Sequence, residues 1–255
     1  DTWLAVDGYS DFADGLNYIP TDKVLISEDV LYHYPNIPLR LPVYCDGDTN
    51  AVTVVYMKGG SDITTIDLTA VKDSVYSYDK IQYTSDISQV PGSYDSVEIR
   101  NLAGTVLKTL RVIEADCSKY TPQVVSFINK FGVNQELVFN MASKSNVTVT
   151  KDSYNKQLLN TSGGVSYDIT KHQNKYYNIS ATESITLSTN YVDESLNDTF
   201  VQLISSEYVW LTVNGVISPV NVDTNAIQLK TQVNDGLINY TIKFDYSHSK
   251  RNNVY

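Results

Sequence analysis

The chain has 255 residues with 19 Lys plus Arg against 29 Asp plus Glu and 3 His, a net charge of −10, which excludes a protein that grips duplex nucleic acid through a basic face. Its longest apolar runs are four residues, as in Trp3-Leu4-Ala5-Val6 and Tyr208-Val209-Trp210-Leu211, far short of the roughly 20 that cross a bilayer, so no membrane span is expected. The 20 Tyr outnumber 6 Phe and 2 Trp together; with abundant Thr, Val and Ile they favour pleated, half-exposed surfaces and a mainly β fold.

Residues 1–36 read as an irregular N-terminal arm packed on the first domain, with one or two short strands around Val24-Leu25-Ile26 and a proline-punctuated end at Tyr34-Pro35-Asn36-Ile37-Pro38. Residues 37–116 follow as an acidic β-sandwich domain. There Ala51 to Met57 and Ile63 to Leu68 flank a Gly59-Gly60 turn, which predicts a hairpin. Further strands are predicted at Ile81–Tyr83, Ser96–Leu102 and Thr105–Glu114, the last two turned by Ala103-Gly104.

The boundary is placed near Asp116 to Pro122, where the alternation stops at a proline. Residues 117–255 form the second β-rich, sandwich-like domain. Its predicted strands are Gln123–Asn129, Glu136–Ala142, Val147–Thr150, Gly164–Ile169 and Ser184–Ser188. One helix is expected over 193–206, because Leu196, Phe200, Leu203 and Ile204 recur at helical spacing behind a capping Asp193. Two hairpins close the chain. Glu207–Val213 and Val216–Val222 flank Asn214-Gly215, and Ala226–Gln232 and Leu237–Tyr246 flank Asn234-Asp235-Gly236. In the last strand Ile238, Tyr240, Ile242, Phe244 and Tyr246 share one face.

Residues 1–116 hold 8 basic and 18 acidic side chains, a net of −10, while residues 117–255 hold 11 of each. All of the excess charge belongs to the first part, which points to two units with different surroundings. Cys45 and Cys117 stand 72 positions apart in unrelated contexts, a spacing that suits neither a metal site nor a redox pair and leaves a disulfide open. The chain opens at Asp1 with no signal-like apolar segment, and nothing follows about export. Five Asn-x-Ser/Thr sequons, at Asn146, Asn160, Asn178, Asn197 and Asn239, match the roughly four that chance supplies and carry no information.

No catalytic, cofactor-binding or metal-binding residue emerges. His33, His172 and His248 lack partners at ligand spacing. Asp46-Gly47-Asp48 lacks the flanking ligands of a calcium loop and reads as a turn. The Gly59-Gly60 and Gly163-Gly164 stretches lack the Lys-Ser/Thr of a phosphate loop, and there is no Gly-x-Ser-x-Gly elbow. Tyr at alternating strand positions, as at Tyr240 and Tyr246, reads first as apolar area with a wet tip for protein interfaces and second as a stacking surface for sugars. The tail His248-Ser249-Lys250-Arg251 is a local basic cluster that either meets an acidic neighbour or frays.

Cys117-Ser118-Lys119-Tyr120-Thr121-Pro122, leading into Phe127 to Gly132 and Leu137-Val138-Phe139, is one recognisable stretch. Leu203 to Leu211, and Asn234 to Phe244 closing on Asn252-Asn253-Val254, are others, with weaker similarity at Asp7-Gly8-Tyr9 and Leu41-Pro42-Val43-Tyr44. In order and spacing over residues 117–254 they resemble virion proteins of tailed bacteriophages, especially phages of Bacteroidetes and related marine hosts. The resemblance implies a non-enzymatic tail or neck component that assembles with copies of itself in a ring and with other virion proteins. It transfers no active-site residue. If the acidic part lines a conduit, contact with DNA is passive, since charge repulsion keeps the duplex sliding. A receptor- or glycan-binding protein at a tail tip or cell surface is the alternative. A glycan-degrading enzyme stands third, because it needs two carboxylates converging in a cleft.

Overall fold

The structure, a computed structural model, describes residues 8–10, 22–34, 37–45, 52–68, 81–84, 94–115, 119–157, 159, 163–166, 168–224, 226–229 and 238–250. The protein is mainly β with one short helix, as its composition predicts.

In the first part the strands are β1 (Val30–His33), β2 (Pro42–Tyr44), β3 (Val52–Lys58), β4 (Ser61–Leu68), β5 (Ile81–Tyr83), β6 (Ser96–Arg100) and β7 (Val106–Glu114). Five of them form a sheet in the order β1-β7-β6-β3-β4, and β2 with β5 makes a second, two-stranded layer. The period-2 pattern explains the packing. Val54 and Tyr56 of β3, Val97 and Ile99 of β6, and Leu110 and Val112 of β7 are buried against Leu41, Val43, Cys45 and Tyr94. Tyr56 meets Tyr94 edge-on at 5.4 Å between centroids, and burial pushes the Tyr56 phenol up to about 12. The β3–β4 turn uses Gly59 and Gly60 at φ 57° and 79°, and the Gly59 amide donates to Asp95 Oδ2 at 2.7 Å.

The arm does more than lie on this unit. Strand β1 runs parallel to β7, from Val30 opposite Arg111 to His33 opposite Glu114, so the arm completes the sheet. Around Val24-Leu25-Ile26 the expected strand reduces to a single bridge, Val24 to Val43. Gly8 sits where a Cβ would lie 2.5 Å from Lys130 O, and this close approach lets the Tyr9 amide donate to that same oxygen at 2.8 Å.

The second part holds β8 (Gln123–Ile128), β9 (Asn134–Phe139), β10 (Lys144–Asn155), β11 (Asn174–Ser188), helix α1 (Asn197–Ser205) behind a 3-10 turn (Glu194–Leu196), β12 (Val209–Val213), β13 (Val216–Val222) and β14 (Thr241–Tyr246). All seven strands form one sheet in the order β10-β11-β14-β13-β12-β8-β9. The sheet curls until Phe139 of β9 meets Phe244 of β14 at 5.9 Å, and its two halves face each other like the layers of a sandwich. Helix α1 fills the space between them. Phe200 lies 4.4 Å from the Tyr240 ring and 6.4 Å from Phe139. The predicted cap holds, since Asp193 Oδ1 accepts from the Ser195 amide at 3.0 Å. Asn214 and Gly215, at φ 50° and 79°, make the predicted two-residue hairpin. The buried clusters divide along the chain, one built from residues 24 to 112 and the other from residues 125 to 244.

Several expectations need correction. Gly164–Ile169 is no strand. Gly163 and Gly164 adopt φ 94° and 134°, values a strand does not use, and the segment forms part of the β10–β11 connection. The final strand starts at Thr241 rather than Leu237, while Ile238 makes only a bridge to Val192. Ala226 to Leu229 are not in a strand, and the Asn234-Asp235-Gly236 turn lies outside the described residues. Tyr240 is a core residue, 3% exposed, with its hydroxyl bonded to Asn197 Oδ1, and so does not present a wet tip at an interface. Val147–Thr150 and Ser184–Ser188 belong to much longer strands, 12 and 15 residues in β10 and β11.

Candidate functional site

The three histidines do not converge. His33 packs against Tyr94, His248 packs against Tyr246, and His172 is exposed between β10 and β11. Asp46-Gly47-Asp48 and Cys117 lie outside the described residues, and Cys45 is buried with its thiol 3.7 Å from Leu68 O. Among the described residues, no group of three or more His, Cys, Asp or Glu could hold a metal ion, and no helix is long and apolar enough to cross a membrane. The basic tail turns back on its own chain: Lys250 Nζ donates to Glu183 at 2.8 Å, and its amide donates to Ala181 O at 2.9 Å.

One polar cluster is fully buried, and it joins the arm to the second unit. Asn129 Nδ2 donates to Leu25 O at 2.8 Å and to Gln135 Oε1 at 2.9 Å. Gln135 Nε2 donates in turn to both carboxyl oxygens of Glu28, at 2.7 and 2.9 Å. Thr199 Oγ1 donates to Glu28 Oε2 at 2.6 Å, and Gln202 Nε2 donates to Ser27 Oγ at 2.7 Å. Burial holds the Glu28 carboxyl above the ordinary range, opposed by these hydrogen bonds and by Lys108. Nearby, the Asp193 amide donates to Tyr32 Oη at 2.8 Å and Arg111 pairs with Asp193 at 3.1 Å. Every partner here is already engaged, so the cluster acts as a clasp between units.

Among the described residues, two exposed surfaces carry aromatic side chains in contact with one another. The first is the β10–β11 hairpin. Its ladder runs from Lys144 opposite Thr186 to Asn155 opposite Asn174, whereas β11 meets β14 only over Ser184–Ser188. The far half therefore projects as a two-stranded ribbon. All 12 residues of β10 are exposed, and so are 174 to 178 of β11. A register shift between Thr150 and Asp152 bends it. Asn178, at φ 46°, pins the bend by donating to Asp152 Oδ2 at 2.8 Å. Val147, Val149, Tyr154, Tyr176 and Tyr177 stand in solvent. Tyr154 meets Tyr177 edge-on at 5.6 Å, and Lys151 lies over the Tyr176 ring at 5.2 Å. A lone two-stranded ribbon is marginal in water, and long unpaired edges are normally covered or blunted.

The second surface lies near the opposite edge of the same sheet. Tyr208 stacks on Trp210 at 14° between ring planes, and Trp210 lines an open groove of about 620 Å³ together with Pro38, Arg40, Ser126 and Glu136. Arg40 and Glu136 pair across it at 3.3 Å.

No family model, curated protein or solved structure matches this chain.

Sequence reasoning missed most of the ribbon. The alternation Val147-Thr148-Val149-Thr150 marked its base, although neither face of β10 is buried anywhere along it, and from Lys151 onward no apolar period remains.

Proposed function

We propose that the protein is a non-enzymatic structural subunit of a tailed-phage virion, a neck or tail ring component that assembles with copies of itself and with other tail proteins. The observation that carries this reading is the ribbon: a hairpin exposed on both faces, with apolar and Tyr side chains displayed, gains stability when a partner covers it. Its place at one edge of a sheet whose other end bears an aromatic groove suits the head-to-tail contacts of a ring. The likeness of residues 117–254 to phage virion proteins adds the particle. The acidic first part, with 18 acidic against 8 basic side chains in residues 1–116, suits passive contact with DNA in a conduit. The mass of the purified full chain, measured across a range of concentrations, tests the reading. A discrete multimer is expected, and a persistent monomer overturns self-assembly.

The Tyr208–Trp210 pair favours a second reading, a receptor- or glycan-binding protein, because parallel rings beside polar groups suit the faces of sugar rings. On that reading Trp210→Ala lowers affinity for a soluble oligosaccharide by about tenfold or more, in line with loss of an aromatic anchor. Wild-type protein that binds no member of a broad oligosaccharide panel removes the reading.

A further inference from the structure

We infer that the β10–β11 ribbon of one copy docks on the acidic first unit of a second copy by pairing the open edge of β10 with the open edge of β4. The assignment rests on the reading of the chain as a self-assembling subunit. Among the described strands β10 is paired only with β11, and β4 only with β3. They are the longest sheet edges described, with 12 and 8 residues. The remaining edge of the first sheet, β1, has 4 residues. Strand β9, at the far edge of the second sheet, is held against the arm through Gln135 with Glu28 and Glu136 with Arg40.

Charge decides the pairing. Residues 144–180 carry five lysines, Lys144, Lys151, Lys156, Lys171 and Lys175, against Asp152 and Asp168, a net of +3 in a chain of −10. Residues 1–116 carry the opposite excess, and β4 bears Asp62, which pairs with Arg100 at 3.1 Å, and Asp67, which accepts from Thr53 Oγ1 at 2.9 Å and has no cation beside it among the described residues. Two β10 edges brought together would set basic ribbon against basic ribbon, whereas β10 on β4 brings segments of opposite net charge together and satisfies a row of backbone groups at once. Each such contact leaves one free β4 and one free β10, which is the arrangement that closes into a ring by rotation.

The test uses the full chain. Reversing the ribbon with K144E, K151E and K156E, all at exposed positions, is expected to weaken subunit association by about tenfold or more at low salt without changing the melting temperature. Adding D67K, which leaves the Asp62–Arg100 pair intact, is expected to restore part of the association, and a zero-length amine-to-carboxylate crosslinker is expected to join Lys144 or Lys151 of one isotopically marked copy to Asp67 of another. Unchanged association of the reversed-ribbon variant overturns the docking and leaves self-assembly standing. Crosslinks confined to ribbon against ribbon overturn the β4 assignment. A wild-type chain that stays monomeric overturns both the docking and the reading beneath it.

Discussion

Phe200→Ala is expected to destabilise the second unit by about 4 kcal/mol, the range found when a large, fully enclosed aromatic is truncated in a core that cannot collapse. Phe200 is fully buried at the centre of the curled sheet, between Phe139 and Tyr240. The sheet curls because helix α1 fills it, so truncation removes both the apolar area and the edge-on contact with Phe139. Collapse around the gap is resisted by Tyr240, whose hydroxyl is tied to Asn197 on the same helix. Urea unfolding in a Trp3→Phe background, followed by fluorescence of Trp210 in β12 of this sheet, reads the loss directly. The midpoint is expected to fall with the denaturant slope unchanged. A loss below about 1 kcal/mol would mean that Phe200 is not the keystone of the sheet. Phe200→Leu, which keeps most of the volume, is expected to cost less than half as much.

The same residue illustrates what the sequence could carry. Leu196, Phe200 and Leu203 announce their burial through helical spacing, and Asp193 announces its cap, because both signals are local. Strands with one buried face were equally legible, as β6 and β14 demonstrate through alternation. Legibility failed wherever burial depends on partners far away in the chain. Glu28 reads as one more solvated acid in an acidic half, yet its partners Gln135 and Thr199 lie 107 and 171 positions onward. Tyr240 shares an alternating face with Tyr246, and only the helix packed above it separates a core tyrosine from a half-buried one. The ribbon failed for the opposite reason, since a strand with no buried face writes no pattern. Gly163-Gly164 reads as a turn, and its positive φ values serve the connection between β10 and β11; the expectation fails in beginning a strand at Gly164.

Glu28→Ala is expected to cost about 3 kcal/mol in acid, because it strands the Thr199 hydroxyl and the Gln135 amide as buried donors without an acceptor. The penalty is expected to shrink as pH rises. Burial sets the native pKa of Glu28 above its ordinary 4.5, so the folded state holds this proton more tightly than the unfolded chain does. The contribution of Glu28 is then complete below about pH 4.5 and declines as pH climbs through the raised native value, by up to about 1.4 kcal/mol per unit. The alanine variant has no titrating group there and lacks this slope, so subtracting the two stability curves cancels the remaining carboxylates and leaves Glu28 alone. A difference that instead widens with rising pH would mean that the hydrogen bonds from Gln135 and Thr199 and the charge of Lys108 outweigh desolvation, and that the clasp closes on a stabilised carboxylate. Because Glu28 joins the arm to the second unit, the variant is also expected to let the two units unfold in separate steps, resolved by calorimetry as a split in a transition that is single for the wild type.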